Sequence, residues 1–210
     1  METTQPQGWS RRAFLNGAAL LATAVGLPLA AVRLDLFDPE EAPIERQRVL
    51  MRTVSQIVIP ATQTPGAGDV GAGDFVLLAL AHGLEKSRTP LPDDAPQKLA
   101  RFARKDKSLD QARWLESDLD SRANGDFLEL PTDRQAALVA ALDTEAYAEG
   151  VRKHPWRTIK ALILTGYYTS EPGGSSELRY ELVPGTYVPD VPVTQQTRAY
   201  SSDWTAVDFG

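Results

Sequence analysis

The hexapeptide Gly66-Ala67-Gly68-Asp69-Val70-Gly71 has the G-x-G-x-x-G spacing with which a loop's backbone amides cradle a dinucleotide pyrophosphate. Glu85 stands about 20 residues further on, where an acid would take the ribose hydroxyl. The surroundings speak against that chemistry. Such a loop follows a strand directly and opens the helix of a βαβ unit. Here Pro60 and Pro65 intervene, and Asp69 sets a negative charge where the pyrophosphate would lie. The segment reads as a flexible loop or a close-packed turn.

The remaining candidates are weaker. His82 and His154 are the only histidines and lie far apart, whereas a zinc site needs ligands grouped at helical or loop spacing. Asp106, Asp110, Glu116, Asp118 and Asp120 cluster with Arg101, Arg104, Lys105, Lys107 and Arg113. Paired carboxylates perform acid–base catalysis in glycosidases, but they need a cleft and shifted pKa values. Mixed charge at this density more commonly makes a solvated helix face with i,i+4 pairs. No Gly-x-Ser-x-Gly elbow marks a nucleophile, and cysteine is absent. That absence excludes CxxCH haem attachment and thiolate-held iron–sulfur clusters in this chain. No catalytic, cofactor-binding or metal-ligating residue is assigned.

The elements that would position these residues are helical. Ile44, Val49, Leu50, Val54, Ile57 and Val58 recur at helical spacing, and Pro60 ends the run. A Gly/Pro-dense loop, 61–73, leads to a second helix from Asp74, a good N-cap, to about Glu85. After a polar connection, 98–103 and 109–122 are amphipathic, with Leu99, Phe102, Leu109, Trp114, Leu115 and Leu119 directed inward. Asn124-Gly125 stops that helix. Thr132 with Gln135 suggests a capping box for the next, which buries Leu138, Val139 and Leu142. The last helix opens at Pro155 and carries Trp156, Ile159, Leu162, Ile163 and Leu164. The expected fold is all-α: a domain of five to six helices over 44–168.

Composition sets the class. The 210 residues, with 42% hydrophobic and 24% charged side chains, suit one soluble domain beyond a targeting segment. A net charge of −6 repels phosphate backbones, so nucleic acid is not an expected partner, and no polybasic run favours anionic lipid.

Ser10-Arg11-Arg12-Ala13-Phe14-Leu15 has the form of a twin-arginine export signal, and residues 13–32 carry no charge. A transmembrane anchor is the other reading of this stretch, but it is Ala/Gly-rich and broken by Pro28. Signal segment 1–31 is expected, with cleavage left open. The twin-arginine pathway moves folded proteins, commonly those that take up a cofactor in the cytoplasm. This chain shows no credible place to hold one.

Beyond the last helix, helical periodicity vanishes. Five of the six tyrosines lie from Tyr167 onward, together with Trp204 and Phe209. Pro172, Pro184, Pro189 and Pro192 forbid a long helix. Disordered tails are poor in aromatics, whereas interfaces are rich in them. The segment 169–210 either folds back over its own helices or wraps a partner.

With these residues set out, the chain resembles the small (gamma, or subunit 3) component of membrane-bound flavin dehydrogenases such as gluconate 2-dehydrogenase. The resemblance rests on the export motif, on Ile57-Val58-Ile59-Pro60-Ala61-Thr62 and on Thr64-Pro65-Gly66-Ala67. In the tail it rests on Gly166-Tyr167-Tyr168-Thr169-Ser170-Glu171, Leu178-Arg179-Tyr180-Glu181, Pro184-Gly185-Thr186-Tyr187 and Ser201-Ser202-Asp203-Trp204.

It implies a periplasmic complex in which a large flavoprotein of the glucose–methanol–choline type binds FAD and oxidises a sugar or sugar acid. A cytochrome c subunit carrying haem c often takes the electrons onward. The small subunit is implied to have no cofactor. It carries Ser10, Arg11, Arg12, Phe14 and Leu15 to the Tat translocase on behalf of the flavoprotein. Membrane association is then indirect, or through an uncleaved signal. The expected partner-binding residues are Tyr167, Tyr168, Glu171, Arg179, Tyr180, Tyr187, Arg198, Trp204 and Phe209. Two rivals remain: a free-standing periplasmic scaffold whose tail packs on itself, and an autonomous hydrolase using the carboxylates between Asp106 and Asp120.

Overall fold

The computed structural model describes residues 41–180, 190, 192–194 and 197–201. The export-signal residues Ser10, Arg11, Arg12, Phe14 and Leu15, and Tyr187, Trp204 and Phe209 of the tail, lie outside the described residues.

Among the described residues the body is all-α. Six α-helices follow one another: α1 Glu45–Val58, α2 Ala72–His82, α3 Gln97–Ala100, α4 Gln111–Ala123, α5 Thr132–Ala146 and α6 Pro155–Tyr168. Single 3₁₀ turns stand at Leu84–Lys86 and Phe127–Glu129. None of these helices is long and apolar enough to cross a membrane.

α2 is the centre. Ala72, Gly73 and every residue from Phe75 to Leu80 are buried, so it is apolar on all sides and takes its cover from neighbouring helices. Its principal neighbours are α1 and α6. The α1 contact is a backbone approach: a Cβ at Gly73 would lie 2.7 Å from the amide nitrogen of Arg52. Around α2 the core gathers Leu50, Val54, Leu115, Leu142, Trp156 and Ile163. Each such side chain contributes about 1.5–3 kcal/mol through removal from water.

Several boundaries differ from expectation, each for a local reason. α2 begins at Ala72, two residues before Asp74, because Gly71 turns the chain with φ 81°. Asp74 lies in the first turn and pairs with Arg48 at 3.6 Å. The amphipathic run 98–103 yields only the single turn α3, after which an isolated bridge joins Ala103 to Leu109. The N-cap of α4 is Asp110, whose side chain accepts from the Arg113 amide. Thr132 makes no capping box. Pro131 starts α5, and the Gln135 amide nitrogen instead donates to the carbonyls of Phe127 and Leu128. Ile44, Val49 and Leu164, apolar members of the helical runs, are exposed. Leu115, Leu119, Leu142, Trp156, Ile159, Leu162 and Ile163 are fully covered, whereas Ile57, Val58, Leu99 and Leu138 are half-buried against the core.

Beyond α6 the chain makes a π-helical turn, Pro172–Glu177, and two short strands, β1 Leu178–Tyr180 and β2 Ala199–Ser201. They pair in parallel, Leu178 with Ala199 and Tyr180 with Ser201.

Candidate functional site

The tail does not simply leave α6; it is fastened at its root. The Tyr167 ring is buried, 2% exposed, and its hydroxyl donates to the Pro65 carbonyl at 3.3 Å. The same hydroxyl lies 3.4 Å from the Thr64 hydroxyl, which in turn donates to the Glu177 carboxylate. Burial pushes the Tyr167 phenol above its ordinary pKa of 10, so it remains a hydrogen-bond donor at neutral pH. The Ser170 hydroxyl donates to the Tyr167 carbonyl at 2.6 Å and accepts from the Gly173 amide at 3.3 Å. Gly173 has no space for a side chain, since a Cβ there would sit 2.0 Å from the Tyr167 carbonyl oxygen. Thr64-Pro65 and Tyr167–Glu177 are thus brought together by the packing of the loop before α2 against the end of α6.

Beside this root, α6 presents an apolar strip to solvent. Leu164 and Tyr168, one helical turn apart, are 37% and 40% exposed. The Tyr168 ring stands edge-on to Tyr167 at 5.2 Å between centroids. Among the expected partner-binding residues, Tyr168, Glu171, Arg179 and Arg198 are exposed. Tyr167 is placed differently: its ring belongs to this chain's own core and cannot reach a partner without leaving it. Tyr180 contributes its backbone to β1. Thr64, Ser170, Gly173 and Glu177 were not singled out from the sequence. Of these, Thr64 and Ser170 lie in segments that carried the resemblance.

The G-x-G-x-x-G segment is a close-packed turn whose amides are taken up internally. Gly66 N–H donates to the Asp69 carboxylate at 3.1 Å, Ala67 N–H to the Ile59 carbonyl at 2.9 Å and Gly68 N–H to the Gln56 side chain at 2.9 Å. The Gln56 amide nitrogen closes the ring onto Asp69 at 3.0 Å. These amides, already bonded and fronted by a carboxylate, do not fit a pyrophosphate.

The carboxylate cluster disperses into ion pairs rather than converging on a cleft. Arg46, reaching from α1, meets Glu116 at 2.9 Å, Asp120 at 2.6 Å and Asp126 at 3.2 Å. Asp118 pairs with Arg122 one turn on, at 2.6 Å. Asp106 accepts from the Ser108 amide and hydroxyl and meets Arg88 at 3.0 Å. Partial burial raises the Asp106 pKa, but these donors outweigh it and hold the group below its ordinary value. The group is a fixed anion and not a proton shuttle.

His82 occupies the last turn of α2 and is exposed. His154 caps α6, its Nδ1 accepting from the Trp156 amide at 3.3 Å, and stands edge-on to Trp114 at 5.6 Å. Burial, the leading influence, holds it below the ordinary histidine pKa; Arg122 and Lys98 act in the same direction, and Glu145 and Asp118 oppose them. Among the described residues no three His, Cys, Asp or Glu side chains are grouped to hold a metal ion.

The fold and this root define a small helical domain whose chain is fastened to the body just beyond its last helix. The chain matches Gluconate 2-dehydrogenase subunit 3 over residues 45–185, more than half of its length, and belongs to that family. The match covers the helical body and the tail root. No curated protein and no solved structure matches the chain.

Proposed function

We propose that this chain is the non-catalytic small subunit of a periplasmic, FAD-dependent sugar or sugar-acid dehydrogenase. It supplies the twin-arginine signal for a glucose–methanol–choline-type flavoprotein and stabilises that flavoprotein through its tail. FAD resides in the partner, and haem c in a cytochrome subunit where one is present. Family membership supports the subunit role. The observation that carries the finer reading is the fastened tail root: Tyr167, Ser170, Gly173 and Glu177 fix where an aromatic-rich segment departs from the body. A segment fixed at its start loses less entropy on binding than one free at both ends, and it still covers a large surface.

The export part is tested by Arg11→Lys with Arg12→Lys. The flavoprotein should then remain in the cytoplasm as an intact complex. If it reaches the periplasm unchanged, the signal does not act for it.

A second reading, the free-standing scaffold, is favoured by the β1–β2 pairing and by the burial of Tyr167, both of which are contacts of the chain with itself. It differs in its outcome: the full chain alone would be monomeric and would bind no flavoprotein.

A further inference from the structure

The loop that clamps the tail root has a second side. Thr64 and Pro65 face Tyr167 and Glu177, while Pro60, Gly68 and Asp69 line an open groove of about 770 Å³. The C-terminal half of α1 forms one wall of that groove, and the 3₁₀ turn at Phe127–Glu129 and the start of α5 form the other. Its floor is apolar, from Ile57, Leu128, Leu130 and Ala136. The volume falls in the range of about 300–1,000 Å³ typical of binding clefts.

Two polar groups define what would lie on that floor. α1 carries three arginines. Arg46 meets three carboxylates and Arg48 pairs with Asp74, but Arg52, at the groove, has no ion pair among the described residues. Gln135, on the opposite wall, is only 6% exposed. Its amide nitrogen is committed to the carbonyls of Phe127 and Leu128, which leaves its amide oxygen as an acceptor. Asp69, the other charged group at the groove, bonds to the neutral Gly66 N–H and Gln56 amide and keeps its charge, so an occupant meets one cation and one anion. A cation without an ion pair among the described residues, the Gln135 amide oxygen and an apolar lining suit an extended peptide that offers a carboxylate, a backbone N–H and an apolar side chain.

We propose that this groove is a second docking site for the catalytic partner subunit, occupied by an extended segment with an apolar side chain next to an Asp or Glu. The inference rests on the reading of the chain as an accessory subunit. Charge complementarity at Arg52 selects a single Asp or Glu in that segment, and Asp69 in the same groove disfavours a run of acids. The shared loop 60–69 makes the groove continuous with the tail root, so one partner engages both sides of it.

The test uses full-length chain co-expressed with the flavoprotein, with dissociation constants from the purified components. Arg52→Glu reverses an exposed charge, and Ala136→Trp fills the floor. Each should weaken binding about tenfold or more while the melting temperature of the free chain is kept. Should Ala136→Trp unfold the chain, Arg52→Glu and Arg52→Ala carry the test, with the reversal more harmful than the truncation. Unchanged affinity in the arginine variants, with tight wild-type binding, overturns the groove and leaves the subunit reading intact. Failure of the wild type to bind flavoprotein overturns both.

Discussion

The Thr64 hydroxyl donates to the Glu177 carboxylate across 113 residues of sequence, tying the loop before the central helix to the turn from which the tail departs. The contact is local in space and remote along the chain, so it reports whether body and tail are assembled. Thr64→Val keeps the shape and removes the donor. It should cost about 1 kcal/mol of stability. Amide exchange over 171–180 should rise with it, while exchange in α2 stays slow.

Gly173 tests the same root by volume. Gly173→Ala would drive a methyl into the Tyr167 carbonyl, which is backbone and cannot rotate away. The turn must shift, at about 1–3 kcal/mol. Affinity for the flavoprotein should fall, whereas Gly174→Ala, where a Cβ would meet the Tyr168 carbonyl at 3.1 Å, should be milder. Equal behaviour of the two variants would show that the close approach has no consequence.

Asp143 joins α5 to α6, accepting from the indole of the fully buried Trp156 and from Lys160, both at 2.7 Å. Partial burial raises its pKa, but these two donors outweigh that and hold it below the ordinary 3.8. The carboxylate therefore contributes stability above that value and loses the contribution as pH falls through the depressed one. Asp143→Ala strands the Trp156 N–H in the core and should cost about 1–3 kcal/mol at neutral pH. Thermal melts across the acid range should show the variant closing on the wild type as pH falls.

His154 gives a pH dependence in the milder range. Its folded pKa is depressed below 6.5, so the unfolded chain takes up the proton first and stability falls as pH drops through about 6.5 and on through the folded value. Protonation also removes the Nδ1 acceptor that caps α6. His154→Asn keeps a capping oxygen without a titrating group. Melting temperatures at about pH 7.5 and 5.5 should differ less in the variant than in the wild type. An unchanged difference would place the slope elsewhere.

The sequence carried the helical body well because periodicity and capping are local. Trp156, Leu115 and Val139 could be placed inward from spacing alone, and Pro155 marked its helix start. Boundaries failed where a distant partner decided them. Gln135 looked like half of a capping box, but its amide is drawn to carbonyls of the preceding turn. Leu164 belongs to the apolar run, yet α6 turns it outward beside Tyr168. The tail root was invisible for the same reason: nothing near Thr64 announces that Glu177 and Tyr167 will meet it. Tyr167 was legible as an aromatic anchor, but sequence could not say which surface it anchors. The Gly-rich hexapeptide showed the opposite failing, a spacing that suggests chemistry and folds into a turn bonded to itself.

The proposed role of the tail is to hold a flavoprotein to this subunit. Gel filtration of the co-expressed pair, monitored by flavin absorbance, tests it most directly when the full chain is compared with a chain ending at Glu177. That truncation keeps the Tyr167–Thr64–Glu177 root and removes only what lies beyond it. The full chain should co-elute with flavin, and the truncated chain should elute folded but colourless. A colourless full chain, or a truncated chain that retains the flavoprotein undiminished, would contradict it.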